Sequence, residues 1–152
     1  MELIAKNLQN LIDEWTGRMD AIPDEKLAEK PEPTRWSKKE IIGHLIDSAQ
    51  NNLRRFICSQ YESVPPKIFY DQNFWVIAND YQHMRKEDII ALWRLINFRI
   101  VTVLSNMPKQ NYSLECDTGN QSTGLHSLLF IAEDYLKHSK HHLNQIVPNH
   151  TL

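Results

Sequence analysis

Glycine is scarce in this chain, with 4 among 152 residues, at Gly17, Gly43, Gly119 and Gly124. None has the spacing of a phosphate-cradling loop or a dinucleotide fingerprint, which sets nucleotide-binding α/β folds aside. The same scarcity argues against serial tight hairpins, whose turns favour residues that tolerate positive φ. Cysteine is scarcer still. Cys58 and Cys116 make no disulfide framework and suit a reducing cytoplasm. The 17 Lys and Arg stand against 19 Asp and Glu, a formal charge of -2, so no basic excess exists to neutralise a phosphate backbone and no nucleic acid is expected as a partner. No apolar run is longer than that of Leu128 to Ala132, far short of the roughly 20 residues that cross a bilayer, so no membrane partner is expected either. Glu2, Asp13 and Glu14 depart from the basic-then-apolar plan of a secretory signal. What remains, 41% apolar and 24% charged, is the composition of a single globular domain over residues 1–152.

Prolines divide the chain. Pro23, Pro31 and Pro33, then Pro65 and Pro66, then Pro108 and Pro148 mark connections, because proline breaks helix interiors. Between them, apolar residues recur at spacings of three and four. Leu3, Ile4, Leu8, Leu11, Ile12, Trp15 and Met19 predict a first helix near 2–20. Ser37 and Glu40 form a Ser-x-x-Glu capping box, with Trp36 and Ile41 at hydrophobic-staple positions, and open a second helix over 37–60. Ile89, Leu92, Trp93, Ile96, Ile100, Val103, Leu104 and Met107 predict a third over 86–107, stopped by Pro108. A fourth, over 123–147, runs through Leu128, Ile131, Tyr135, Leu143 and Ile146 to Pro148. Four amphipathic helices imply an all-α four-helix bundle. The long connection between the second and third helices predicts a short helix or a functional loop, with Tyr70, Phe74, Trp75 and Tyr81 covering one end of the bundle or packing as plain core.

Histidine is abundant, with seven residues, three of them in His138-Ser-Lys-His141-His142. At 100° per residue, His138 and His142 share one flank of the fourth helix with Ile131 and Tyr135, whereas His141 turns away. An i, i+4 pair brings two imidazoles to one ion, although two half-buried, hydrogen-bonded rings are the plainer reading. His44 sits on a polar margin of the second helix with Ser48, Asn51, Asn52 and Arg55. It is a candidate third ligand or an ordinary surface histidine. No Glu lies between His138 and His142 as a zinc peptidase requires, and Cys58 and Cys116 have no activating neighbours.

The segments Arg35-Trp36-Ser37-Lys-Lys-Glu40-Ile-Ile-Gly43-His44-Leu45, Tyr70-Asp71-Gln72-Asn73-Phe74-Trp75 and His138-Ser-Lys-His141-His142-Leu-Asn-Gln145-Ile146 together resemble the DinB-like (YfiT-like) superfamily. The resemblance implies a four-helix bundle carrying one divalent metal ion, nickel or zinc, on three histidines. On matching positions these are His44, His138 and His142. It also implies a small-molecule substrate, a low-molecular-weight thiol as cosubstrate, and a homodimer, for which the apolar first helix with Trp15 is the candidate surface. Three histidine ligands leave positions open for substrate, the mark of a catalytic rather than a structural ion. The expected activity is a bacillithiol-transferase-like S-transfer to a small electrophile, with metal-dependent hydrolysis or non-catalytic metal binding as alternatives. A fourth protein ligand such as His83 would favour the last. Arg55, Asp71, Gln72, Trp75, Tyr81 and Gln145 are the candidate pocket residues.

Overall fold

The structure, a computed structural model, describes residues 1–147; the stop expected at Pro148 and the last residues of the expected 1–152 domain lie outside them. Four long helices form, α1 (Glu2–Asp20), α3 (Lys38–Cys58), α5 (Lys86–Asn106) and α6 (Leu128–Ile146), with two short ones, α2 (Asp24–Ala28) and α4 (Gln72–Asn79), in the connections. α4 is the short helix that the long second connection called for. A hairpin of β1 (Glu115–Asp117) and β2 (Leu125–Ser127) precedes α6, pairing Cys116 with His126 in antiparallel register. The fourth helix therefore begins five residues later than residue 123. Leu125–Ser127 spends its backbone on β1, and Ser127 then caps α6 by accepting from Phe130 N at 3.2 Å.

The principal helix contacts are α1 with α5, α5 with α3, α3 with α6, and α6 with α1. The bundle therefore closes in the order α1, α5, α3, α6, and the first two long helices face each other diagonally. A diagonal needs a longer crossing than a neighbour does, and residues 21–37 supply it. Two ion pairs pin the crossing to the start of α3: Lys39 Nζ to Asp24 Oδ1 at 2.8 Å and Lys30 Nζ to Glu40 Oε2 at 2.7 Å. Both halves of the capping box form. Glu40 N donates to Ser37 Oγ at 3.2 Å and Ser37 N donates to Glu40 Oε2 at 2.8 Å. Ser37 Oγ also donates to Gln82 Oε1 at 2.6 Å, and Gln82 Nε2 donates to Ala28 O at 2.8 Å, so one cap ties both connections together.

The core is apolar where α1 and α5 meet. Leu8, Leu11, Ile12, Trp15 and Met19 from α1 and Ile89, Trp93, Ile100 and Leu104 from α5 are all buried. Leu3 and Leu92 depart from the expected faces and are exposed, since each lies at the edge of its stripe. Trp15 is 3% exposed, so it fills this protomer's own core and offers no surface to a second copy. The aromatics of the long connection divide: Tyr81 is buried core, Tyr70 and Trp75 are half-buried with rings 5.6 Å apart, and Phe74 is exposed. No helix of the described residues is long and apolar enough to cross a membrane.

Replacing Ser37 with Ala removes the cap and the Gln82 bond together. We expect a loss of about 1 to 2 kcal/mol, measured as a shift in the denaturant midpoint at constant slope. An unchanged midpoint would mean that the cap contributes nothing.

Candidate metal centre

His44 sits in the second turn of α3, in the register that the Ser37 cap sets. The residue before it is glycine for a steric reason. A Cβ on Gly43 would stand 2.0 Å from Tyr81 Cδ2, so the Tyr81 ring presses on bare helix backbone there. Its hydroxyl donates to the buried Asp47 Oδ1 at 2.6 Å, which fixes the ring. His138 and His142 stand one turn apart on α6. Because α3 and α6 are neighbours, the three rings meet. Centroids are 5.1 Å apart for His44 and His138, 4.7 Å for His44 and His142, and 4.5 Å for His138 and His142. One nitrogen from each lies within 4.8 Å of the others, and among the described residues no other group of three His, Cys, Asp or Glu side chains converges in this way.

The local bonding turns one nitrogen of each ring toward the others. His142 Nδ1 donates to Gln145 Oε1 at 2.9 Å, so its Nε2 keeps a lone pair. His141, by contrast, is exposed, and its Nε2 accepts from Gln145 Nε2 at 3.2 Å. His44 Nε2 and His138 Nε2 face each other at 3.1 Å. Two nitrogens bound at 2.0–2.1 Å to one zinc-sized ion stand about 3 Å apart, so the spacing fits a shared ion. His44 Nδ1 is buried and has no hydrogen-bond partner among the described residues, a costly arrangement in a core that serves packing alone. Trp36 lies against the His44 ring with centroids 5.0 Å apart and shields it from solvent.

All three imidazoles are neutral near pH 7. Burial, followed by the facing His138 and His142, lowers His44 from 6.5 to about 3. Burial and His142 lower His138 to about 4, and burial also lowers His142. Neutral imidazoles are the form that binds divalent ions.

Beside His138 opens a cleft of about 410 Å³. Ser48, Asn52 and Arg55 of α3 form one wall, and Ile131, Asp134 and Tyr135 of α6 the other, with Tyr70, Thr118, His126 and Phe130 at the ends. Among the expected pocket residues, Arg55 lines this cleft, while Asp71 and Gln72 line an adjoining groove that shares Arg55, Tyr70 and Thr118 with it. Trp75 reaches the cleft only through its contact with Tyr70. Tyr81 lines neither, because the gap over Gly43 takes its ring into the core. Gln145 lines a separate groove with Trp36 and Ile41, and its role at the centre is to hold His142. His83 is exposed and paired with Asp80 at 2.7 Å, so it is no part of the cluster. Asp134, Thr118 and His126 were not anticipated. Asp134 had a signal, since it precedes His138 by one helical turn; Thr118 and His126 reach the cleft only through the hairpin.

The family model described as the DinB superfamily matches residues 7–146. The chain belongs to this superfamily. Among solved structures this DinB-superfamily chain is similar to YfiT from Bacillus subtilis, with 22% identity, TM-score 0.83, 94% of this chain and 81% of that one covered. YfiT is described as a probable metal-dependent hydrolase with an unusual four-helix bundle topology. The chain is also similar to a mycothiol-dependent maleylpyruvate isomerase, with 9% identity and TM-score 0.78 over 96% of this chain. It spans 60% of that enzyme's length. These likenesses establish the fold. No curated protein matches the sequence.

The shifted histidines give this DinB-superfamily chain a signed pH dependence when it is metal-free. Below pH 6.5 the unfolded chain binds protons that folded His44 refuses until about pH 3, so stability falls with acid. Between pH 7 and 5, His44 alone accounts for about 2 kcal/mol. Asp47 works the other way: burial raises it to about 6 against an ordinary 3.8, so its folded form gains a proton first. We expect the denaturant midpoint of the metal-free protein to fall from pH 7 to 5, and to fall more steeply in Asp47→Asn. A flat profile would contradict the burial of His44 as a neutral ring.

Proposed function

We propose that this protein is a metal-dependent enzyme in which His44, His138 and His142 hold one divalent ion, nickel or zinc, and that it transfers a low-molecular-weight thiol to a small electrophile. The observation that carries the reading is the convergence of three neutral imidazoles, with no carboxylate or thiolate among them, beside an open cleft. Such an ion, when bound, supplies an undiminished double positive charge that activates a water or thiol near neutral pH. Gln145 fixes the tautomer and tilt of His142. Trp36 excludes water from the back of His44. The cleft then orients the small molecule toward His138. The protein's own cysteines are unsuited as the nucleophile: Cys116 is buried, donates to Pro66 O at 3.2 Å and has its pKa raised by burial, and Cys58 does not line the cleft. The thiol therefore comes from solution, a reading supported by the likeness to an isomerase described as mycothiol-dependent.

Hydrolysis is the second reading, favoured by Asp134, an exposed carboxylate in the cleft able to take a proton from water, and by the description of YfiT. The outward position of His83 speaks against a closed, purely structural ion. Two unpaired cysteines suit a cytoplasmic protein. Exposed Leu92 and Leu95, about one turn apart on α5, are the proposed surface for a homodimer.

Metal content of protein purified without tag-derived ions tests the ligand set. His142→Ala is expected to lose most of the ion and His141→Ala to retain it. Equal retention in His142→Ala and wild type would overturn the triad. For the reaction, metal-loaded protein incubated with a panel of thiols and electrophiles is expected to form thioether adducts only when metal is present. Turnover of esters or amides without any thiol would transfer the assignment to hydrolysis.

A further inference from the structure

Arg55, in the last turn of α3, is the one positively charged side chain on the walls of the cleft described above. Its bonds go to neutral acceptors: Nε and Nη2 donate to Ile68 O at 3.2 and 2.8 Å, and Nη1 to Asn52 Oδ1 at 3.3 Å. None of the salt bridges among the described residues includes it. Burial works against its charge, lowering its pKa, and Asp134 attracts it only from a distance. A guanidinium has five N–H groups. Three are used, and one remains on each terminal nitrogen, the fork that matches the two oxygens of a carboxylate.

We propose that the small molecule of this cleft carries a carboxylate, which Arg55 binds through its two free N–H groups while the molecule's reacting end lies at the histidine cluster. The proposal rests on the metal-enzyme reading and adds the substrate class to it. Arg55 follows His44 by eleven residues, a rise of about 16 Å along α3 that the arginine side chain only partly closes. An ion-sized anion cannot touch both ends. The ligand is therefore elongated, and it lies along Ser48 and Asn52 on one side and Ile131 and Tyr135 on the other. Asp134, one turn before His138, repels a second anion at the reacting end, which selects molecules with a single carboxylate directed toward Arg55.

The test uses zinc-loaded protein and hydroxamic acids, whose hydroxamate binds zinc, in a series of chain lengths ending either in a carboxylate or in the matched carboxamide. Calorimetry is expected to show the carboxylate probe binding about tenfold or more tightly than the carboxamide at one preferred length. Arg55→Gln abolishes that difference and Arg55→Lys keeps part of it, with circular dichroism confirming that both variants fold. If Arg55 serves only to tie α3 to Ile68, wild type binds the two probes equally, and the proposal falls while the metal centre stands. If neither probe binds and the protein takes up no zinc, the metal reading fails, and this assignment with it.

Discussion

The seam between α3 and α6 is the contact on which the site depends, and its composition is unusual for a bundle. α3 buries His44, Asp47, Ser48, Asn51 and Asn52 where leucines would give more stability, and α6 buries Ser139. Helix backbone carbonyls keep part of this polarity tolerable. Asn51 Nδ2 donates to Asp47 O and Asn52 Nδ2 to Ser48 O, both at 2.9 Å, so each amide is satisfied within its own helix. The cohesion that the seam gives up comes from the opposite side, where Leu8, Ile12, Trp15, Trp93 and Ile100 pack as ordinary core. The α1–α5 side is thus packed by apolar side chains, while α3 and α6 add buried polar groups to apolar ones such as Leu45, Phe56, Leu136 and Leu143.

Two buried atoms reveal what that arrangement leaves unsatisfied. His44 Nδ1 and Asp47 Oδ2 have no hydrogen-bond partner among the described residues, although they belong to side chains three positions apart on one helix. Groups of this kind are usually eliminated unless they serve a site. His44 is held between Trp36 and the two α6 histidines, and Asp47 between Tyr81 and Asn79, whose Nδ2 donates to it at 3.2 Å. The long connection therefore reaches the histidine cluster through one helical turn of α3. Any change that loosens Tyr81 over Gly43 is transmitted to the ring beside it.

Much of this was legible in the sequence, for reasons that differ by residue. Prolines and three-four periodicity placed the four long helices because both act locally, through a missing donor and a repeating apolar face. The same local rule separated His142 from His141, since adjacent helical side chains diverge by about 100°. The convergence of His44 on that pair depends on which helices are neighbours, and periodicity does not encode that; the family resemblance supplied it. The hairpin escaped notice because Leu125–Ser127 is a strand only by virtue of Glu115–Asp117 opposite it. Tyr81 read as a pocket residue because it is an aromatic in a loop. What takes it into the core is the absent Cβ of Gly43, a vacancy formed by a residue far away in sequence.

The long connection makes sense in these terms. α3 and α5 are adjacent and parallel: Gln82, just before α5, accepts from Ser37 at the start of α3, and Asn111, just after α5, donates to Gln60 just after α3, so the connection must return along the length of the bundle. Its residues also build the site. Ile68 O fixes the Arg55 guanidinium, and Tyr70 lines the cleft. Ile68 N donates to Asp117 O and Asp117 N to Pro66 O, both at 2.9 Å, and these bonds dock the connection onto the hairpin. The hairpin in turn places Thr118 and His126 at the cleft and hands the chain to α6 at Ser127. The wall that carries Arg55 and the helix that carries His138 and His142 are thereby registered against each other by backbone hydrogen bonds. The distance between the guanidinium and the histidine cluster is consequently a property of the fold rather than of side-chain rotamers, as selection among ligands by length requires.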